Sequence, residues 1–136
     1  MASGRLLALD VGESKVGIAY SDELGKIAFP GQRLSRTAKD FWQQLSKICQ
    51  DLKVVKIVIG WPLTLAGKEA EQVTRVRIFR DQLAEKINLP TAIWDERFTS
   101  KQARDLVKGL SARQKPDEDS LAAYLILQAY LASLPS

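Results

Sequence analysis

The sequence contains no histidine. That absence excludes Ser-His-Asp and Cys-His catalysis, histidine general bases and zinc sites built on imidazole. Cys49 is the single cysteine, so an intrachain disulfide and a cysteine metal cage are excluded too. No apolar run approaches the roughly 18 residues of a membrane span, and no signal-peptide pattern opens the chain. No internal repeat, low-complexity tract or linker interrupts it. The expectation is a cytoplasmic protein with no membrane partner. Carboxylates with a hard cation are then the main material left for hydrolytic chemistry. Asp and Glu bind Mg²⁺ or Mn²⁺ without imidazole or thiolate.

What is present fits one globular domain over 1–136, with residues 1–4 as a flexible start. The 136 residues are 46% apolar, enough for a real core. Lys and Arg number 20 against 16 Asp and Glu, a net charge of +4 that leans towards polyanionic partners.

The hydrophobic pattern predicts the elements. Arg5 to Val11 (RLLALDV) reads as a strand buried on both faces. Lys15 to Ser21 follows after a short link, so the two should form an antiparallel hairpin. Asp22 to Gly25 is a turn, and Lys26 to Leu34 a third strand whose Pro30 suggests an edge or a bulge. Phe41, Leu45, Ile48 and Leu52 line one face of a helix. Val54 to Gly60 is a buried strand. Val73, Val76, Phe79, Leu83 and Ile87 form a second helical stripe, ended by Pro90. Thr91 to Asp95 is a short strand. Thr99 can cap a third helix, residues 111–118 read as a loop, and a last helix from about Asp119 to Leu134 is apolar nearly all round. The order β-β-β-α-β-α-β-α-α makes an α/β mixed sheet, its first three strands antiparallel, with helices on both faces.

Acidic residues stand at telling places. Asp10 lies in an otherwise apolar strand, where a carboxylate must be paired, exposed at the strand end or bound to a cation. Gly12, Gly17 and Ala19 follow as Asp-x-Gly-x-x-x-x-Gly-x-Ala, small residues that let a phosphate or metal approach the backbone. A plain β-turn is the other reading of Asp10. Asp95 and Glu96 follow a strand, at the end where open α/β sheets place ligands. They equally suit the start of the next helix, as does Asp119 at the last one. If Asp10, Glu96 and Asp119 converge, they can hold one or two ions for phosphodiester cleavage. In a sheet ordered 3-2-1-4-5 the Asp95 strand is about 10 Å from the Asp10 strand, so Glu96 needs a loop that turns inwards.

A basic run adjoins these acids. Arg97, Lys101, Arg104, Lys108, Arg113 and Lys115 are six cations against one acid, Asp105. They make either a phosphate-tracking surface or an ordinary solvated face. Lys15 can contact phosphate near Asp10. Trp61 can stack on an unpaired base, though packing on a helix is the commoner use of such a residue. Gly60 to Lys68 lacks the P-loop spacing.

The set Asp10-Val-Gly12, Gly17-Ile-Ala19, Gly60-Trp-Pro62-Leu63, Trp94-Asp-Glu-Arg97, Asp119-Ser-Leu-Ala-Ala123 and the closing Leu-Ile-Leu-Gln128 resembles the YqgF/RuvX family, from about Arg5 to Leu134. The resemblance implies an RNase H-like fold with a five-stranded sheet. It also implies a metal-dependent nuclease, most simply one that matures the 5′ end of pre-16S rRNA, with a Holliday junction resolvase as the older description. It makes Asp10, Glu96 and Asp119 the metal-binding catalytic acids, with Asp95 and Gly12 auxiliary. The cofactor would be Mg²⁺ or Mn²⁺, one or two ions. The partner would be nucleic acid, pre-rRNA before a DNA junction, and the protein a monomer or homodimer. This chain departs from the family where Ser14 and Lys15 stand in place of two basic residues, where Glu13 adds a negative charge, and where Trp61 replaces an aliphatic residue. A non-catalytic nucleic-acid-binding module of the same fold is the alternative from another class. An ATPase of the actin and hexokinase kind shares the Asp-x-Gly pattern but uses two such domains.

Overall fold

The computed structural model describes residues 4–61, 68–95 and 118–135, with the side chains of 68–72 and 118–119 outside that description. Strands β1 (Arg5–Val11), β2 (Lys15–Ser21) and β3 (Ala28–Ser35) come first, then helix α1 (Phe41–Asp51). Strand β4 (Val54–Trp61), helix α2 (Lys68–Lys86), strand β5 (Thr91–Asp95) and helix α3 (Glu118–Ser133) follow. The helix expected from Thr99 and the loop expected at 111–118 lie outside the described residues, except for Glu118.

The sheet runs β3-β2-β1-β4-β5. β1, β2 and β3 pair antiparallel, while β4 and β5 join parallel. β1 is therefore central, and its β-branched and leucine-rich neighbours bury it on both sides. Alternation along the strands sorts two cores. Leu7, Leu9, Val16, Ile18, Ile57 and Ile59 face α1 and α2. Leu6, Ala8, Ala19 and Val58 face α3. The small residues on the second side let the apolar α3 lie close, with Ala123, Ile126, Leu127 and Tyr130 against the sheet.

α1 buries Phe41, Leu45 and Cys49, one stripe of the expected helix. α2 supplies Val76, Phe79 and Leu83, and Ile87 closes the layer. Phe79 is fully buried and meets Phe41 edge-on at 5.9 Å and Trp42 in a stack at 5.2 Å. Between α1 and β4 the chain reverses through Lys53, whose φ of 55° is the left-handed region that glycine usually fills at a helix end.

The β2–β3 turn closes on Asp22. Its carboxylate accepts the backbone N–H groups of Lys26 at 2.7 Å and Ile27 at 2.9 Å, and Gly25 takes φ +68°. Those two donors hold the Asp22 carboxyl below its ordinary range.

Burial pushes the Cys49 thiol up from 9.0 to about 11. The unfolded chain therefore loses this proton first as pH rises, so the contribution of Cys49 to stability falls between pH 9 and 11. At pH 8 the native thiol should react with an aromatic disulfide reagent about 100-fold or more slowly than the urea-unfolded chain. Equal rates would mean that the α1–sheet contact opens readily.

Candidate active site

The β1–β2 hairpin builds the upper end of the sheet. Gly12 donates its N–H to the Lys15 carbonyl at 2.8 Å. A Cβ at position 12 would come within 2.9 Å of that same oxygen, so the hairpin itself requires glycine here. The turn is tied from outside. Arg36 donates its backbone N–H to the Ser14 carbonyl at 2.9 Å and a guanidinium N–H to the Gly12 carbonyl at 3.3 Å. The same guanidinium lies over the Phe79 ring, 5.5 Å from its centre. Burial, then the charge of Arg75, holds Arg36 below its ordinary value. The hairpin end is thereby braced against α2.

Asp10 sits just below this turn, half-buried on the central strand. It alternates with Leu9 and Val11, so it falls on the α3 side with Leu6 and Ala8. Its partner on β2 is Gly17. On β4 the residue after Ile59, itself the partner of Leu9, is Gly60. Neither neighbour in this row carries a side chain. A single half-buried carboxylate flanked by glycines, in a chain with no imidazole, suits an all-oxygen site for a hard cation.

α3 covers this same face. Its C-terminal half lies over the start of β4, where the Lys56 ammonium is 5.6 Å from the Tyr130 ring centre. Its first turn is thus directed towards the opposite end of the sheet, where Asp10 stands. That turn carries Asp119 and the fully buried Ser120.

Asp95 is placed differently. It pairs with Trp61, and alternation puts it with Ile93 and Ile59, on the other side of the sheet from Asp10. Trp94 instead faces α3 and meets Tyr130 edge-on at 5.6 Å. Glu96, Arg97, Lys101, Arg104, Lys108, Arg113 and Lys115 lie outside the described residues, as does the side chain of Asp119. Among the described residues no three acidic or thiol groups gather to hold a metal.

Two further placements bear on binding. Lys15 is exposed at the hairpin end and shares the alternation of Gly17, so it lies on the Asp10 face. Trp61 is 9% exposed, belongs to the core and is capped by Arg80, 5.4 Å from its ring centre. It packs; a stacking platform for a base needs an open ring face. Arg33, which no motif or spacing in the sequence marks, pairs with Gly17 and so joins the Asp10 row. Its only outward signal was the Pro30-Gly31 step before it.

The RuvX family model, described as Holliday junction resolvase, matches residues 4–133. A "Putative pre-16S rRNA nuclease" of Syntrophomonas wolfei is 38% identical over 131 residues, covering 93% of each chain. A protein of the same name in Desulforudis audaxviator is 36% identical over 137 residues, covering 97% of this chain and 96% of its own. Among solved structures, Thermus thermophilus RuvC in complex with a Holliday junction substrate aligns with a TM-score of 0.63. The alignment covers 96% of this chain and 94% of that one at 11% identity, a likeness of fold alone. No helix among the described residues is long and apolar enough to cross a membrane.

Proposed function

The chain belongs to the RuvX family, and from that we propose a metal-dependent endonuclease that trims the 5′ end of precursor 16S rRNA in the cytoplasm. Its fold is RNase H-like, as in RuvC. The observation that carries the reading is Asp10, a half-buried carboxylate on the central strand, set between glycines on the face that α3 covers.

In this reading Asp10, Glu96 and Asp119 hold one or two Mg²⁺ or Mn²⁺ ions. Such an ion, when bound, lowers the pKa of a water and offsets charge on the leaving oxygen. The protein's own groups do the rest. The glycines beside Asp10 leave room for a phosphodiester to approach the strand. Lys15 neutralises a phosphate at the hairpin end. Arg97, Lys101, Arg104, Lys108, Arg113 and Lys115 track the phosphates beyond it, which orients the strand without reading its sequence. Asp95, on the other side of the sheet, has an auxiliary part, and Gly12 serves the hairpin.

The test is a labelled panel: a precursor 16S 5′ fragment, a single-stranded RNA and a four-way DNA junction, each with Mg²⁺, Mn²⁺ or EDTA. Cutting of the precursor with metal and none with EDTA is expected. Preferred cutting of the junction would move the substrate to DNA. With four to six phosphates neutralised, log K should fall against log salt with a slope of about −3 to −5. A slope near zero would remove the electrostatic part of the reading.

A further inference from the structure

β3 does not alternate evenly. Ala28 pairs with Ser21 and Pro30 with Ala19, on the α3 side of the sheet. The register then slips between Gly17 and Ala19 on β2. Two residues, Gly31 and Gln32, span the place opposite Ile18, and pairing resumes with Arg33 at Gly17 and Leu34 at Val16. Leu34 and Val16 both lie in the core under α1 and α2, so Arg33 points to the other face. The extra residue has inverted the strand's parity. An even strand would have set Gln32 in that position, and Arg33 would have faced the α1–α2 core.

The bulge depends on glycine. A Cβ on Gly31 would sit 2.7 Å from the Ile18 carbonyl oxygen. Bulges recur beside active sites because they re-aim a side chain. Here the re-aimed side chain is an exposed cation in the row Asp10, Gly17, Arg33. Two strand spacings separate the Arg33 and Asp10 backbones, about 10 Å. The strand between them carries only glycine at that level, so an extended arginine can cross it. Lys15 lies diagonally next to Arg33 on the same face, since it pairs with Ser35, two residues on.

We infer that Arg33, turned onto the Asp10 face by the Gly31 bulge, is a substrate-binding residue that holds a phosphate adjacent to the one cleaved. The inference rests on the reading of Asp10 as part of the nuclease site. It adds a contact from β3, which lies at the opposite edge of the described sheet from β5.

The test compares wild type, Arg33→Gln and Arg33→Lys on a fluorescein-labelled precursor 16S 5′ RNA. Binding is measured by anisotropy without metal across a salt series, and cleavage with Mg²⁺. Circular dichroism and melting confirm the fold of each variant. Arg33→Gln should weaken binding and raise KM about tenfold with kcat nearly unchanged. Its salt slope should be shallower by about one. Arg33→Lys should restore the slope, because counterion release counts charge rather than shape. An unchanged slope and KM in Arg33→Gln overturns the inference, and so does a slope that lysine fails to restore. Asp10→Asn is run beside them. If it cleaves like wild type, the nuclease reading of the site falls. The slopes, measured without cleavage, still decide the role of Arg33.

Discussion

Asp10→Asn should lower cleavage of the precursor RNA by at least about a thousandfold while RNA affinity changes by less than about threefold. The substitution keeps the shape of the side chain and removes its charge. A hard cation loses an anionic oxygen, while phosphate contacts from Lys15 and the basic run persist. The second readout is thermal. Mg²⁺ at about 100 times its Kd should add roughly 2.7 kcal/mol to the stability of wild type, and far less to the variant. Cleavage at the wild-type rate under saturating metal would sink the assignment. Equal stabilisation of both proteins by Mg²⁺ would place the ion elsewhere.

The largest effect on stability is expected from Phe79→Ala. Phe79 is fully buried on α2, against Phe41 and Trp42 of α1 and under the Arg36 guanidinium. Truncation removes the ring and leaves a cavity among rigid aromatic neighbours, a cost of about 3–5 kcal/mol. For a chain of this length that is a fall in melting temperature of roughly 10–20 °C. The loss should also loosen the hairpin, since Arg36 reaches from that ring to the Gly12 carbonyl. Urea unfolding measures the first effect, and amide exchange at residues 12–15 the second. A loss below about 1 kcal/mol would show that the aromatic set repacks around the space.

The sequence made much of this legible because its signals were local. β1 and β2 begin and end where the apolar runs do. The α1 stripe appeared at helical spacing, and α3 was marked as deeply packed by its nearly unbroken apolar surface. Pro30 did indicate both an edge and a bulge. Asp10 stood out because a charge in a buried strand is costly.

The rest depended on pairing between distant segments, which local patterns do not carry. Whether Asp95 or its neighbour shares a face with Asp10 follows from the register of β5 on β4. The direction of Arg33 follows from one inserted residue, invisible to composition. For Trp61 the commoner use, packing, holds: it lies in the core with Arg80 over its ring, a choice that local sequence leaves open. β3 also begins at Ala28 rather than Lys26, because Asp22 draws Lys26 and Ile27 into its turn.

The bulged strand has a second consequence, for solubility. β3 is one of the two edge strands of the described sheet, and half of its residues are exposed. A long, even edge of unpaired amides invites another molecule to add its own strand and begin a fibre. The Gly31 bulge breaks the two-residue repeat that such a stack would follow, and Pro30 beside it brings no amide N–H at all. The irregularity that turns Arg33 onto the Asp10 face therefore also makes that edge a poorer template for a second copy's strand.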